Sequence, residues 1–380
     1  MRAKRAIFAA GATLGSVLLI AGCATSSSGS SAGSSGGVNW ATVSSVAAGG
    51  GMNALVAAAK KEGHLNVITL PSDWANYGTI MKDFQAKYGI TITDENPDGT
   101  SQDELNAIAQ TKGQSRAPDV VDVGTAFAAK GEQEGDWAPY EVQTWSDIPA
   151  DSKASNGDYY ADYGGYIAIG YDASKVKTPP TSFKDLLNPE YKNMIALNGS
   201  PTEAGAAFAG VYAAALANGG SFGNIAPGVS YFKQLKEAGN FVPVTGSATT
   251  MESGQTPILV WWDYLLASEV APSVKDLKIV IPSDAHYASY YDQAVSKYAP
   301  DPAAARLWEE YLYSTVGQNL YLEGGTRPIE LPTLVSDGTV NKKAYAALPP
   351  APSGTVTFPS IAQQNTAENV VAQQWPTVAG

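Results

Sequence analysis

Asp119-Val120-Val121-Asp122-Val123-Gly124-Thr125-Ala126-Phe127 reads as a short strand that passes through a glycine directly into a helix. Valine favours the pleated, half-buried surface of a sheet, and the small residues after it allow a helical turn. Two units of the same kind precede it. Residues 52–62 have helical spacing with Gly63 placed as a C-cap, and residues 64–70 alternate as a strand. A loop at 71–78, an amphipathic helix at 79–88 and a strand at 90–93 follow. Ser101-Gln102-Asp103-Glu104 has capping-box form and opens a helix to about residue 112. The β-α-β-α-β alternation that ends on Val123 predicts a parallel sheet flanked by helices. Ligands on such sheets bind beyond the carboxyl ends of the strands, which puts residues 72–76 and 124–127 on one rim.

Downstream, a strand at 166–171 leads into a second region with strands at 194–197, 256–262 and 277–281. Helices are expected there at 201–218, opened by Ser200-Pro201-Thr202-Glu203 in capping-box form, and at 231–239. After Asp284 the pattern returns to the first region with a strand at 288–296 and a helix at 301–314. The expected organisation is therefore α/β, with residues 51–163 and 285–330 in one lobe and 164–284 in another. A tail at 331–380, partly helical and partly irregular, is expected to pack on the lobes.

The first residues have a separate purpose. Arg2, Lys4 and Arg5 precede an apolar stretch at 6–21 that is too short to span a bilayer and has the layout of a secretory signal. It closes on Leu19-Ile20-Ala21-Gly22-Cys23, which resembles the bacterial lipobox, and Cys23 is the only cysteine. The reading is a signal peptide at 1–22, lipid on Cys23 and a flexible linker at 23–50, whose first part is almost entirely Ser, Gly, Ala and Thr. The mature protein is then held by lipid on the outer face of the cytoplasmic membrane. Losing the three bases takes the formal charge from −12 to −15, which argues against a nucleic-acid partner.

Catalytic and metal chemistry find little support. Two histidines, His64 and His286, and no thiol beyond Cys23 exclude most zinc sets, so no metal and no cofactor is expected. Gly219-Gly220-Ser221-Phe222-Gly223 has the form of a nucleophile elbow, but a helix rather than a strand precedes Ser221. A secreted serine hydrolase is thus a remote alternative, and the chain is not read as an enzyme.

Thr181-Ser182-Phe183-Lys184-Asp185-Leu186-Leu187-Asn188-Pro189-Glu190-Tyr191-Lys192 resembles a segment of the extracellular solute-binding proteins of ABC importers. Residues 119–125, 165–170 and 294–317, and the pair Arg327-Pro328, resemble further segments of the same proteins in the same order. The subgroup of similar sequence comprises spermidine/putrescine, ferric-ion, thiamine and aminophosphonate binders. The resemblance spans most of residues 60–330. It implies the two-lobed periplasmic-binding-protein fold of type II, a hinge of two crossing strands, a ligand in the cleft between the lobes and delivery to permease subunits by a monomeric binder.

For the ligand, polyamine binders of that subgroup sandwich an alkyl chain between aromatic rings and hold its ammonium groups with carboxylates, a pairing favoured by cation–π attraction and by the need to neutralise a buried charge. Carried over position by position, the resemblance implies Asp73 and Trp74 in the first loop, Thr125 at a helix start, Tyr166 on the crossover strand, Glu203 on the second lobe, Trp262 with Asp263 at a strand end, and Tyr290 with Asp292 on the return. Trp262 is expected to face the cleft and Trp261 the core. Glu203 and Asp263 each have a second reading as helix caps, and Arg327 one as an ion pair within the fold. Iron fits poorly, because Trp261-Trp262 stands where ferric binders carry adjacent tyrosines and an indole N–H has no lone pair for a metal. An aminophosphonate or thiamine-type zwitterion remains the alternative, its anionic end at a helix start near Pro201.

Overall fold

The computed structural model describes residues 37–348, 352 and 358–379. Cys23 and the signal segment lie outside the described residues. Among the described residues, nine strands form two sheets: β1 (His64–Ile68), β2 (Thr91–Glu95), β3 (Val120–Gly124), β4 (Tyr160–Asp172), β5 (Ile195–Leu197), β6 (Ile258–Trp262), β7 (Leu277–Val280), β8 (Ala288–Val295) and β9 (Arg327–Pro328). β1 and β2 pair in parallel, as the alternation predicts. β3 lies against β1, joined where the Asp119 amide donates to the Asn66 carbonyl at 2.8 Å. The larger sheet runs β3-β8-β4-β6-β5, with β7 and β9 also pairing to β4. Only its β5–β6 pair is parallel; β8 returns antiparallel to β3.

β4 holds the two lobes together. Its first half, Tyr160 to Tyr166, pairs with β8 and β9, and its second half, Ile167 to Asp172, with β6 and β7. All thirteen residues are buried, so the strand extends beyond the 166–171 expected from sequence; a strand covered on both faces carries no apolar–polar alternation to mark its ends. The second crossing comes near Tyr287, whose carbonyl accepts from the Ile167 amide at 2.9 Å. These two crossings are the hinge of the two-lobed fold. At the join, a Cβ on Gly164 would sit 2.1 Å from the Ser289 carbonyl oxygen. Only glycine permits that backbone approach.

The longer helices before the return strand β8 are α1 (Met52–Glu62), α2 (Tyr77–Tyr88), α3 (Ser101–Thr111), α4 (Thr125–Glu134), α5 (Gly205–Ala217) and α6 (Ala226–Glu237). Two of their starts differ from the sequence reading, and both differences matter for the site. α3 is capped by Thr100 with Asp103, not by Ser101 with Glu104. Glu104 is thereby free to lie on the buried face. α5 begins at Gly205, four residues late, because the Glu203 and Ala204 amides both donate to the Ser200 carbonyl in a tight turn. Gly205 then meets Gly124 at the start of α4; a Cβ on either would come within 3.4 Å of the other's Cα. The two lobes touch there.

The stretch expected as linker up to residue 50 is built into the first lobe from Trp40 onward. Trp40, Val43 and Val46 are buried, and Arg306 donates to the carbonyls of Val43 at 2.8 Å and Ala41 at 3.2 Å. Gly49-Gly50-Gly51 is a specific turn: Gly50 and Gly51 adopt positive φ, and the Trp40 ring occupies the place of a Gly49 side chain. At the other end, the helix Ile361–Gln374 packs against α4 of the first lobe and α6 of the second. Tyr212 of α5 donates to the Gln363 carbonyl at 3.1 Å, and Trp375 packs edge-on against Phe232 and Phe241. Among the described residues no helix is long and apolar enough to cross a membrane.

Candidate functional site

A cavity of about 450 Å³ opens between the lobes, within the range of roughly 300–1,000 Å³ usual for small-molecule sites. The first lobe supplies the loop after β1, the loop after β2 and the start of α3; the second supplies the turn before α5 and the segment after β6. Its lining carries six carboxylates: Asp73, Asp98, Glu104, Asp122, Glu203 and Glu269. Among the described residues that line it there is no lysine, arginine or histidine. Trp74, Trp261 and Tyr291 supply the rings.

The floor is built from β3 and α3. Asp122 Oδ2 accepts from the hydroxyls of Tyr163 at 2.7 Å and Tyr77 at 2.9 Å, while Glu104 Oε2 accepts from the Asp122 amide at 3.1 Å. The other oxygens of this pair, Asp122 Oδ1 and Glu104 Oε1, are buried without a hydrogen-bond partner. Burial pushes the Glu104 pKa well above the usual carboxylate range, and the neighbouring Asp122 charge adds to the rise. Burial likewise raises Asp122, against the pull of its two tyrosine donors. Two unpaired carboxylate oxygens at the bottom of a cavity demand a positive charge or protons.

Trp74 connects this floor to the rim. Its indole N–H donates to Tyr163 Oη at 2.6 Å, so one chain of hydrogen bonds runs from Trp74 through Tyr163 to Asp122. The Trp74 ring meets Tyr291 at 5.6 Å and Trp261 of the opposite lobe at 6.4 Å, both edge to face. At the rim, Glu269 sits in a wide π-helical turn, Leu266–Val270. Its pKa is pushed up to about 8 by burial and then by the charges of Asp73 and Asp98.

Of the residues expected at the site, Asp73, Trp74 and Glu203 line this cavity. Glu203 makes no cap, since the Ser200 box does not form. Trp261, not Trp262, is the β6 tryptophan that lines the cavity; Trp262 stacks on Tyr264 and Tyr287 behind it. Register decides this: Trp261 stands opposite Ala168 and Trp262 opposite Ile167 on β4, and neighbours on a strand face opposite ways. Thr125, Trp262 and Tyr290 instead border a crevice of about 20 Å³ between α4 and α5. Asp292 borders another of about 30 Å³ with Thr125 and Tyr290; burial pushes its pKa up to about 8.

Asp263 and Tyr166 belong to the hinge. Asp263 is fully buried and accepts from the Tyr166 amide at 3.0 Å and from Arg327 Nη1 at 3.0 Å. The Arg327 guanidinium lies 4.9 Å from the Tyr166 ring centre. Of the two readings of Arg327, the ion pair is the one present. Asp263→Asn is expected to cost about 3 kcal/mol by removing one side of a buried pair, read as a lowered Tm in calorimetry; an unchanged Tm would mean the pair contributes nothing.

Four lining carboxylates, Asp98, Glu104, Asp122 and Glu269, were not singled out from the sequence. For Asp122 a signal existed: a charge inside an apolar strand is rarely buried without a purpose. Glu104 shares a helix face with Leu105 and Ile108, which also hints at burial. Asp98 and Glu269 sit in a loop and an irregular turn, where no periodicity points inward.

Comparison with known families returns a match over residues 115–360 to the model described as bacterial extracellular solute-binding protein. The chain belongs to this family. Members are solute-binding proteins that act outside the cytoplasm and serve ABC transporters. No curated protein sequence matches. Among solved structures, the periplasmic binding protein P5PA is similar with a TM-score of 0.64 at 16% identity, covering 83% of this chain and 99% of that one. Iron-bound HitA from Pseudomonas aeruginosa gives 0.61 at 17%, with 83% and 99% covered. A Listeria monocytogenes protein provisionally described as a spermidine/putrescine ABC transporter gives 0.60 at 13%, with 83% and 98% covered. At these identities the likeness carries the two-lobed periplasmic-binding-protein fold and leaves the ligand to the cavity of this solute-binding protein.

Proposed function

We propose that this solute-binding protein captures a small organic cation of the polyamine class, such as putrescine or spermidine, and delivers it to the permease of an ABC importer. The observation that carries the reading is the lining of the cavity: six carboxylates and two indoles, with no lysine, arginine or histidine among the described residues that line it. An ammonium gains about 0.5–2 kcal/mol over an indole face, and the buried oxygens of Glu104 and Asp122 supply its counter-charge. A zwitterion with an anionic end fits less well. The Glu203 and Ala204 amides near Pro201 already donate to Ser200, and Glu203 would repel a phosphonate. A hydrolase reading has no support at Ser221, which follows α5 and lies in a short loop bonded to Asn224. Lipid on Cys23 would keep this monomeric binder beside its permease.

The test is a thermal-shift panel of putrescine, spermidine, aminoethylphosphonate, thiamine and ferric citrate. A ligand at 100 times its Kd stabilises the folded state by about 2.7 kcal/mol, so a polyamine is expected to raise Tm by several degrees. Stabilisation by the phosphonate alone would replace the polyamine reading with the zwitterion one.

A further inference from the structure

Glu269 stands on the second lobe, while Asp73 and Asp98 stand on first-lobe loops, and all three line the same cavity. The charges of Asp73 and Asp98 raise the cost of charging Glu269, and no basic side chain among the described residues lining the cavity offsets them. Bringing the lobes together therefore presses like charges toward one another at this end. The floor is a separate demand for positive charge: Glu104 and Asp122 are both more than nine-tenths buried, line the cavity and keep one oxygen each without a partner. Trp74 links the two ends, with Asp73 as its chain neighbour and Asp122 reached through Tyr163.

We infer that Glu269 is a charge gate on cleft closure. One ammonium group of the ligand satisfies the floor, and the lobes close over it only when a second positive charge arrives between Glu269, Asp73 and Asp98. The gate rests on the polyamine reading for its natural ligand and sharpens it: the site discriminates by number of charges, accepting diamines and longer polyamines and rejecting monoamines of equal chain length. Like charges set against each other at an interface oppose its closure, and a monoamine leaves that opposition in place. Glu269 is then a specificity-determining residue that reading by sequence pattern does not reveal.

The test compares 1,4-diaminobutane with 1-aminobutane by calorimetry at pH 8 and low salt, on the wild-type protein and on Glu269→Gln. Wild type is expected to prefer the diamine by about tenfold or more. The variant is expected to lose most of that preference, chiefly through better binding of the monoamine. Small-angle scattering of the ligand-free proteins gives a readout that needs no ligand: Glu269→Gln is expected to be the more compact of the two. An unchanged preference, or equal compactness at low salt, overturns the gate. If wild type binds neither amine while the variant still compacts, the polyamine reading fails and the gate stands for another cation.

Discussion

Asp122→Asn is expected to weaken polyamine binding by about 2 kcal/mol or more, some 30-fold, because it removes one partner of a buried charge pair. The change is isosteric, and the amide oxygen of asparagine remains an acceptor for the Tyr77 and Tyr163 hydroxyls that now bond Asp122 Oδ2. Its NH2 group then takes the place of Oδ1, the oxygen that has no partner. A donor turned into the cavity opposes an incoming ammonium. Titration of spermidine by calorimetry measures the loss, and circular dichroism confirms the fold. Affinity within threefold of wild type would remove Asp122 from the site.

Stability of the ligand-free protein is expected to fall as pH rises from about 5.5 to 8. Burial pushes Asp119, Glu269, Asp292 and Glu309 each up to about 8 and Glu330 to about 7. In the unfolded chain such groups titrate near pH 4. Between these limits the native state binds more protons than the unfolded one, so the slope of unfolding free energy against pH is negative. Each proton so held contributes about 1.4 kcal/mol per pH unit, and Tm at pH 8 should lie several degrees below that at pH 5.5. A bound polycation favours the charged forms of Glu269 and Asp122. Ligand binding is therefore expected to release protons and to stabilise more at pH 8 than at pH 5.5. Calorimetry in buffers of different ionisation enthalpy counts those protons. A Tm that rises with pH, or binding with no proton release, would contradict these assignments.

Much of the fold was legible because periodicity and caps are local signals. The Gly63 stop, the strand at 119–123 and the helix after Thr125 all appear close to where pattern puts them. Legibility failed where tertiary contact chose between local options. Ser101 and Ser200 both head capping-box strings, yet neither caps: Thr100 takes the first role, and a turn about Ser200 removes the second. Both misreadings hid cavity carboxylates, Glu104 behind a supposed cap and Glu203 as a half-claimed one. The choice between Trp261 and Trp262 depends on register against β4, which one strand's sequence does not contain. Glu269 owes its place to an irregular turn, and irregular turns leave no period to read.

The helix Ile361–Gln374, seated on both lobes, also orders events in the life of the chain. Among the described residues, every strand ends by Pro328 and every residue that lines the cavity lies at or before Tyr291. This helix is synthesised, and crosses the membrane, after all of them. A nascent chain thus has its cleft, its hinge and every cavity carboxylate before this helix adds its contacts to both lobes. A product cut short before this helix would present a complete binding surface on lobes joined by the hinge strands and their direct contacts.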